Sequence, residues 1–267
     1  MNKYDVSIIL PGIRSENWER VYKELGNACF RHSFELIIAS PCELPIFFAD
    51  KKNVKFIRDF GCPSRVFQMA SMLCEGEFTT HVIDDAIIGP ASIDESIDLL
   101  RSKDSSKDIV CMRYAEGMNY AQGVEFPNEY WTSWFHFKES NLLGIDKDWK
   151  LACVMLLGTE YFRSLGGIDC VFEHTNMNLH DFVFRAQRNG SVVYLSPKNY
   201  CRVDWDPRRN EKNSAIVAAY FNNDLPLFQS IYATKENADK REIKINYMNW
   251  LGAPTVWERR QDKTLGI

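Results

Sequence analysis

The sequence contains no apolar run approaching the roughly 18 residues needed to cross a bilayer, which excludes a helical membrane span. No convincing secretory leader opens it either. The start MNKYDVSIILPG carries one lysine and a short apolar stretch that Pro11 and Gly12 cut off, so it reads as a first strand. None of the eight cysteines forms a CxxC pair. They are scattered, and several sit inside apolar runs, as Cys153 does in LACVMLL. That pattern favours reduced, mostly buried thiols in a cytoplasmic protein over a disulfide frame or a zinc site. There is no excess of positive charge: the net charge is −4, so no global basic field exists to draw nucleic acid. Internal repeats and low-complexity tracts are also missing.

What remains is an ordinary globular composition, 45% hydrophobic and 25% charged over 267 residues, enough for one large α/β domain. The chain alternates strand and helix patterns. Val6 to Leu10 is a continuous apolar run, as in a strand covered on both faces. Ser15 stands where it can cap a helix with Trp18, Val21, Tyr22 and Leu25 at helical spacing. Phe34 to Ala39 and Val54 to Ile57 read as the second and third strands, and Arg65 to Cys74 as a helix closed by Gly76. Strand, helix and strand in this order predict parallel neighbours with right-handed crossovers.

The stretch EFTTHVIDDAIIGP organises the rest. A β-prone run, Phe78 to Ile83, ends in the adjacent carboxylates Asp84 and Asp85, and Gly89-Pro90 then break the chain. Open α/β sheets bind ligands at the C-terminal ends of their strands. Two carboxylates at such an end suit a hard divalent cation, Mg²⁺ or Mn²⁺, although an Asp pair also caps turns. A helix over 91–101 and a strand over 109–112 follow. Between Tyr114 and Trp149 aromatic residues crowd in, among them Trp131 and Trp134 with His136 nearby, a mixture suited to stacking on sugar rings or to ordinary core. Order returns with the apolar 151–158, a short helix over 160–164, the sequence LGGID, a helix over 178–188 and a strand over 192–195. From about Glu211 onward the pattern is helical with a polar tail.

The order of these features resembles the inverting family 2 glycosyltransferases of the GT-A fold, over roughly residues 4 to 200. The features are a first strand ending in Pro11 with Arg14 beyond, Arg65 opening a helix, and an acidic strand end five residues before Pro90. Gly166-Gly167-Ile168-Asp169 follow, with Asp181 twelve residues on. The resemblance implies a Rossmann-like, mostly parallel sheet with helices on both faces. Its catalytic domain would span 1–205, with a donor half over 1–113 and an acceptor half over 114–205. Residues 206–267 would form a helical extension packed on the same domain. It further implies a nucleotide-diphosphate sugar as donor, a glycan or other hydroxyl as acceptor, Mn²⁺ or Mg²⁺, and direct displacement at the anomeric carbon. Pro11, Gly12 and Arg14 would line the nucleotide site, and Arg65 would approach the base or phosphates. The family's DxD pattern falls on Ile83-Asp84-Asp85, so its first acid is missing. Asp85 would then serve the metal and Asp84 the ribose.

Asp181 would act as general base, with His180 standing where relatives carry Glu. Trp131, Trp134, His136, Gly167 and His180 would face the acceptor. Asp204 or Asp206 could substitute for a metal ligand, and Arg208, Arg209 and Lys212 could fold over the diphosphate. Ala39-Ser40 replace an Asp that often contacts the base, which leaves the nucleotide open. Three rivals remain. A nucleotidyltransferase would carry a Gly-rich basic loop after the first strand, of which PGIRSENW is a poor version. A non-catalytic glycan- or nucleotide-binding module would explain the missing acid. Transfer onto a nucleic-acid base differs in acceptor alone.

Overall fold

A computed structural model describes residues 2–116, 150–203 and 218–255. The expected strands and helices form, with adjusted ends. Strands β1 (Tyr4–Pro11) and β2 (Phe34–Ser40) flank helix α1 (Trp18–Ala28), which a single 3₁₀ turn precedes. Strand β3 (Val54–Arg58), helix α2 (Pro63–Ser71) and strands β4 (Gly76–His81) and β5 (Ala86–Ile88) follow. Next come helix α3 (Ser92–Arg101) and strands β6 (Ile109–Glu116) and β7 (Met155–Gly158). Helices α4 (Thr159–Ser164) and α5 (Met177–Arg188) lead into β8 (Val193–Val203). Beyond a π-helical turn at Tyr220–Asp224 lie α6 (Leu225–Tyr232) and α7 (Lys235–Lys240).

The strands form one sheet in the order β3-β2-β1-β4-β7-β6-β8-β5. The four strands from β3 to β4 are parallel to one another, whereas β7 runs antiparallel to both β4 and β6, and β5 antiparallel to β8. With β6 and β8 parallel to each other, six of the eight strands run one way and β7 and β5 the other, so the sheet is mixed but mostly parallel, as expected. A fully buried strand reads as a continuous apolar run in either direction, so LACVMLLG gives no hint of its reversal.

Alternation along the strands sorts side chains into two cores. Val6, Ile8 and Leu10 of β1 pack with Trp18, Val21 and Leu25 of α1 and Ile93 and Ile97 of α3. Ile9 faces the other way, with Val66 and Phe67 of α2, Phe162 of α4 and Phe182, Val183 and Ala186 of α5. A third cluster, around Phe172, Phe184, Phe228 and Tyr232, fastens α6 to α5. Among the described residues no helix is long and apolar enough to cross a membrane.

The chain after α7 runs as a strap across α2, α4 and α5, held largely through its backbone. Arg188 donates to the carbonyls of Asp239 and Arg241, and Arg185 to that of Ile243. The Ile245 N–H donates to the Leu165 carbonyl, and the Gln68 amide donates to the carbonyls of Gly166 and Tyr247. The Gly166-Gly167 turn, which closes α4, makes this crossing possible. Both residues have positive φ, 86° and 67°, and a Cβ on Gly166 would lie 2.0 Å from the Ile245 oxygen.

Candidate functional site

Because β7 is antiparallel to β4, the start of β7 lies at the same sheet edge as the C-terminal end of β4. The loops after β1, β2 and β3 open on that edge as well. Sequence reasoning expected the donor there, and Pro11, Gly12, Arg14, Asp84 and Asp85 meet at this edge. Pro11 ends β1, and the Gly12 N–H donates to the Ala39 carbonyl at 3.3 Å. Asp84, 2% exposed, accepts the backbone N–H groups of Ile13 at 2.7 Å and Arg14 at 2.8 Å, and also a guanidinium N–H of Arg14. Asp85 Oδ2 lies 3.5 Å from the same Arg14 nitrogen. Burial opposes the Arg14 charge, but Asp84 and Asp85 more than offset it and hold its pKa above the usual value. Gly12 is required by space: a Cβ would meet the Trp18 indole nitrogen at 2.9 Å and the Asp84 side chain at 3.0 Å.

The resemblance implies a divalent cation at this knot, where Asp84 is already engaged by the protein. Asp84 spends its oxygens on two amides and a guanidinium, and Asp85 Oδ2 lies 3.5 Å from that guanidinium. Among the described residues no group of three His, Cys, Asp or Glu side chains could hold a metal ion.

Arg65 is placed elsewhere. At 5% exposure, its guanidinium pairs with both Asp59 oxygens at 3.1–3.2 Å, donates to the Trp250 carbonyl at 2.7 Å and stacks on the Trp250 ring. It braces the strap against the loop after β3, where sequence reasoning expected a contact with nucleotide. Gly167 is likewise structural: its carbonyl accepts from Arg185 at 2.6 Å, and the Gln68 amide fills the space beside its Cα.

Asp181, the expected general base, lies in the interior. Its carboxylate is fully buried and bound on both oxygens. Arg185 donates to Oδ2 at 2.8 Å, Arg241 to Oδ1 at 2.8 Å and Oδ2 at 3.0 Å, and the Tyr232 hydroxyl to Oδ1 at 2.7 Å. Arg241 also pairs with Asp169. Burial alone would raise the Asp181 carboxyl, but the charge of Arg185 and the charge and hydrogen bonds of Arg241 hold it below the ordinary carboxylate range. A carboxylate enclosed in this way has no lone pair to offer an acceptor hydroxyl. Its partners Tyr232 and Arg241 come from the C-terminal part of the chain, where sequence reasoning found only a helical extension. No local pattern marks them.

His180, one residue earlier, faces the other way. Its Nδ1 lies 3.3 Å from the Ala152 carbonyl oxygen and its Nε2 3.9 Å from Cys153 Sγ, just before β7 at the sheet edge. Asn176 Oδ1 is 3.7 Å from the same sulfur. The N-terminal end of α5 is tied to that of α2 through Asn178, which donates to Ser64 Oγ at 2.6 Å. The expected acceptor residues Trp131, Trp134 and His136, together with Asp204, Asp206, Arg208, Arg209 and Lys212, lie outside the described residues.

No family model and no curated protein matches this chain. Among solved structures it is similar to S. aureus TarS residues 1–349, at a TM-score of 0.56 and 18% identity over 92% of this chain and 71% of that one. The same protein in complex with UDP superposes at 0.55, with 18% identity over 86% and 69% of the two chains. In complex with UDP-GlcNAc it superposes at 0.50, with 14% identity over 93% and 80%. At these identities the likeness is one of fold: this chain is built on the α/β architecture of TarS.

Proposed function

We propose that this chain is a nucleotide-sugar-dependent glycosyltransferase that moves a sugar onto an acceptor hydroxyl, of a glycan or a similar molecule. The observation that carries the reading is the meeting of Pro11, Gly12 and Arg14 with Asp84 and Asp85 at the C-terminal edge of the sheet. Separate segments of sequence converge there on the edge where such sheets bind ligands. The shared fold supports it, because TarS is a glycosyltransferase of GT-A-like fold and has been solved with UDP and with UDP-GlcNAc.

In this reading Arg14 offsets charge on the donor diphosphate from its seat on Asp84. Glycosyl transfer breaks the bond from the anomeric carbon to the diphosphate and forms one to the acceptor oxygen, with inversion if a single displacement occurs. The acceptor proton must leave during that step.

Thermal unfolding against UDP-, GDP-, CMP- and dTDP-sugars, each with and without Mn²⁺, tests donor binding. A donor at 100 times its Kd stabilises the fold by about 2.7 kcal/mol. That corresponds to roughly 5–10 °C for a chain of this size. Silence across the whole panel sinks the reading. A shift without turnover would instead favour the binding module, a reading to which the missing acid at Ile83 lends weight.

A further inference from the structure

We propose that His180, and not its neighbour Asp181, takes the proton from the attacking hydroxyl; the inference rests on the glycosyltransferase reading above. A carbonyl oxygen can only accept, so the contact with Ala152 puts the ring hydrogen on Nδ1 and leaves the lone pair on Nε2. That lone pair faces Cys153 Sγ at the start of β7. By strand direction this is the edge that carries Asp84 and Asp85. The imidazole thus has the two attributes of a general base, an accepting nitrogen turned to this edge and an orienting group on the other nitrogen.

Geometry excludes the neighbouring acid for the same role, since Arg185, Arg241 and Tyr232 take both Asp181 oxygens. Among the described residues, His180 then stands as a base on the N-terminal half of α5 whose acceptor atom points at this edge. Burial pushes the imidazole down to about 4, close to the ordinary carboxylate range, so it is unprotonated at neutral pH. The ring is 3% exposed, and the half-buried Cys153 thiol lies against Nε2.

The step balances as follows. The acceptor O–H proton passes to Nε2 while the acceptor oxygen bonds to the anomeric carbon. The bond from that carbon to the diphosphate oxygen breaks, and its electron pair leaves with the nucleoside diphosphate. The imidazolium then releases its proton to solvent, and Nδ1–H stays on the Ala152 carbonyl throughout.

The test combines the variants His180→Asn, His180→Ala and Cys153→Ala with two readouts on UDP-GlcNAc: the donor-induced melting shift, and UDP release with water as the acceptor. Asparagine can still donate to the Ala152 carbonyl but has no group at the Nε2 position. We expect His180→Asn to keep the melting shift and to lose about 10²- to 10⁴-fold in UDP release. Cys153→Ala should stay within a few fold of the parent, and free imidazole should restore part of the release in His180→Ala. Nitrogen-15 histidine NMR of the intact chain at neutral pH should show His180 protonated on Nδ1 and bare on Nε2. The proposal is overturned if His180→Asn turns over like the parent, if Cys153→Ala is the dead variant, or if Nε2 carries the hydrogen. A parent chain that shows no shift with any nucleotide sugar of the panel removes the glycosyltransferase reading itself, and this proposal with it.

Discussion

Replacing Asp181 by asparagine keeps the shape of the side chain and removes one negative charge from a cluster that is neutral as built, with Asp181 and Asp169 against Arg185 and Arg241. Arg185 has no solvent exposure, so its charge cannot be relieved by water. Its other bonds, to the carbonyls of Leu165, Ile243 and Gly167, satisfy its hydrogens but not its charge. The new amide group would also point donors at the donors of Arg185, Arg241 and Tyr232. Breaking a buried ion pair by deleting one partner costs roughly 3–5 kcal/mol. For a chain of this length, where each kcal/mol moves Tm by about 2–4 °C, the expected fall is roughly 6–20 °C. Urea denaturation followed by circular dichroism, with calorimetry alongside, measures it. A residue that acted purely as a catalytic base would leave stability within about 0.5 kcal/mol. An Asp181→Asn chain as stable as the parent would therefore refute the structural role and return Asp181 to the chemistry.

Three further outcomes are expected. His81, His174 and His180 are all pushed by burial to about 4 from an ordinary value of 6.5. Their folded pKa values are depressed, so the unfolded chain takes up protons first as pH drops below about 6.5, and stability falls progressively toward pH 4. The loss is at most about 3 kcal/mol per imidazole, and an unfolding midpoint in urea that stays flat from pH 7.5 to 5 would contradict it. Asp84→Ala strands two backbone N–H groups and the buried Arg14, and should cost about 3 kcal/mol or more while abolishing the donor-induced melting shift. Denaturant titration with and without the nucleotide sugar separates the two effects. Gly167→Ala forces a side chain into φ 67° and to 2.4 Å from the Gln68 amide, so a loss above about 1 kcal/mol is expected on denaturation; an unchanged midpoint would mean that the turn relaxes freely.

The sequence carried most of the layered fold because alternation and helical spacing report which faces are buried. Val6, Ile8 and Leu10 fall on one side of the sheet and Ile9 on the other, as the run VSIIL implies for a strand covered twice. It also placed Arg14 beside Asp84 through the order of motifs. The parallel run of β1, β2 and β3 was legible from the strand-helix-strand order, but the reversal of β7 was not. Nor was the three-residue β5, too short to show a period, or the full length of β8, which has Pro197 within it. The strap escaped notice for a different reason. It is held by side chains of the domain reaching its carbonyls, and a carbonyl is the same in every residue. Arg65 looked like a ligand-facing cation because nothing local reveals Asp59 and Trp250 closing around it.

The roles of Asp181 and His180 turn on helix geometry. Consecutive residues of an α-helix point about 100° apart, so the two side chains cannot serve the same cavity. The carboxylate fixes α5 against the strap, and that rotation carries the imidazole to the sheet edge. A base and its anchor in adjacent positions are mechanically coupled: loosening Asp181 lets α5 turn and moves Nε2. Loss of turnover in Asp181→Asn would therefore not by itself identify a base. The distinction lies in the temperature dependence. Assayed well below its lowered Tm, Asp181→Asn should recover a large part of its UDP release, because the helix reseats, whereas His180→Asn should stay inactive at every temperature at which it is folded. Equal and temperature-independent losses in the two variants would break the division of roles argued from the geometry.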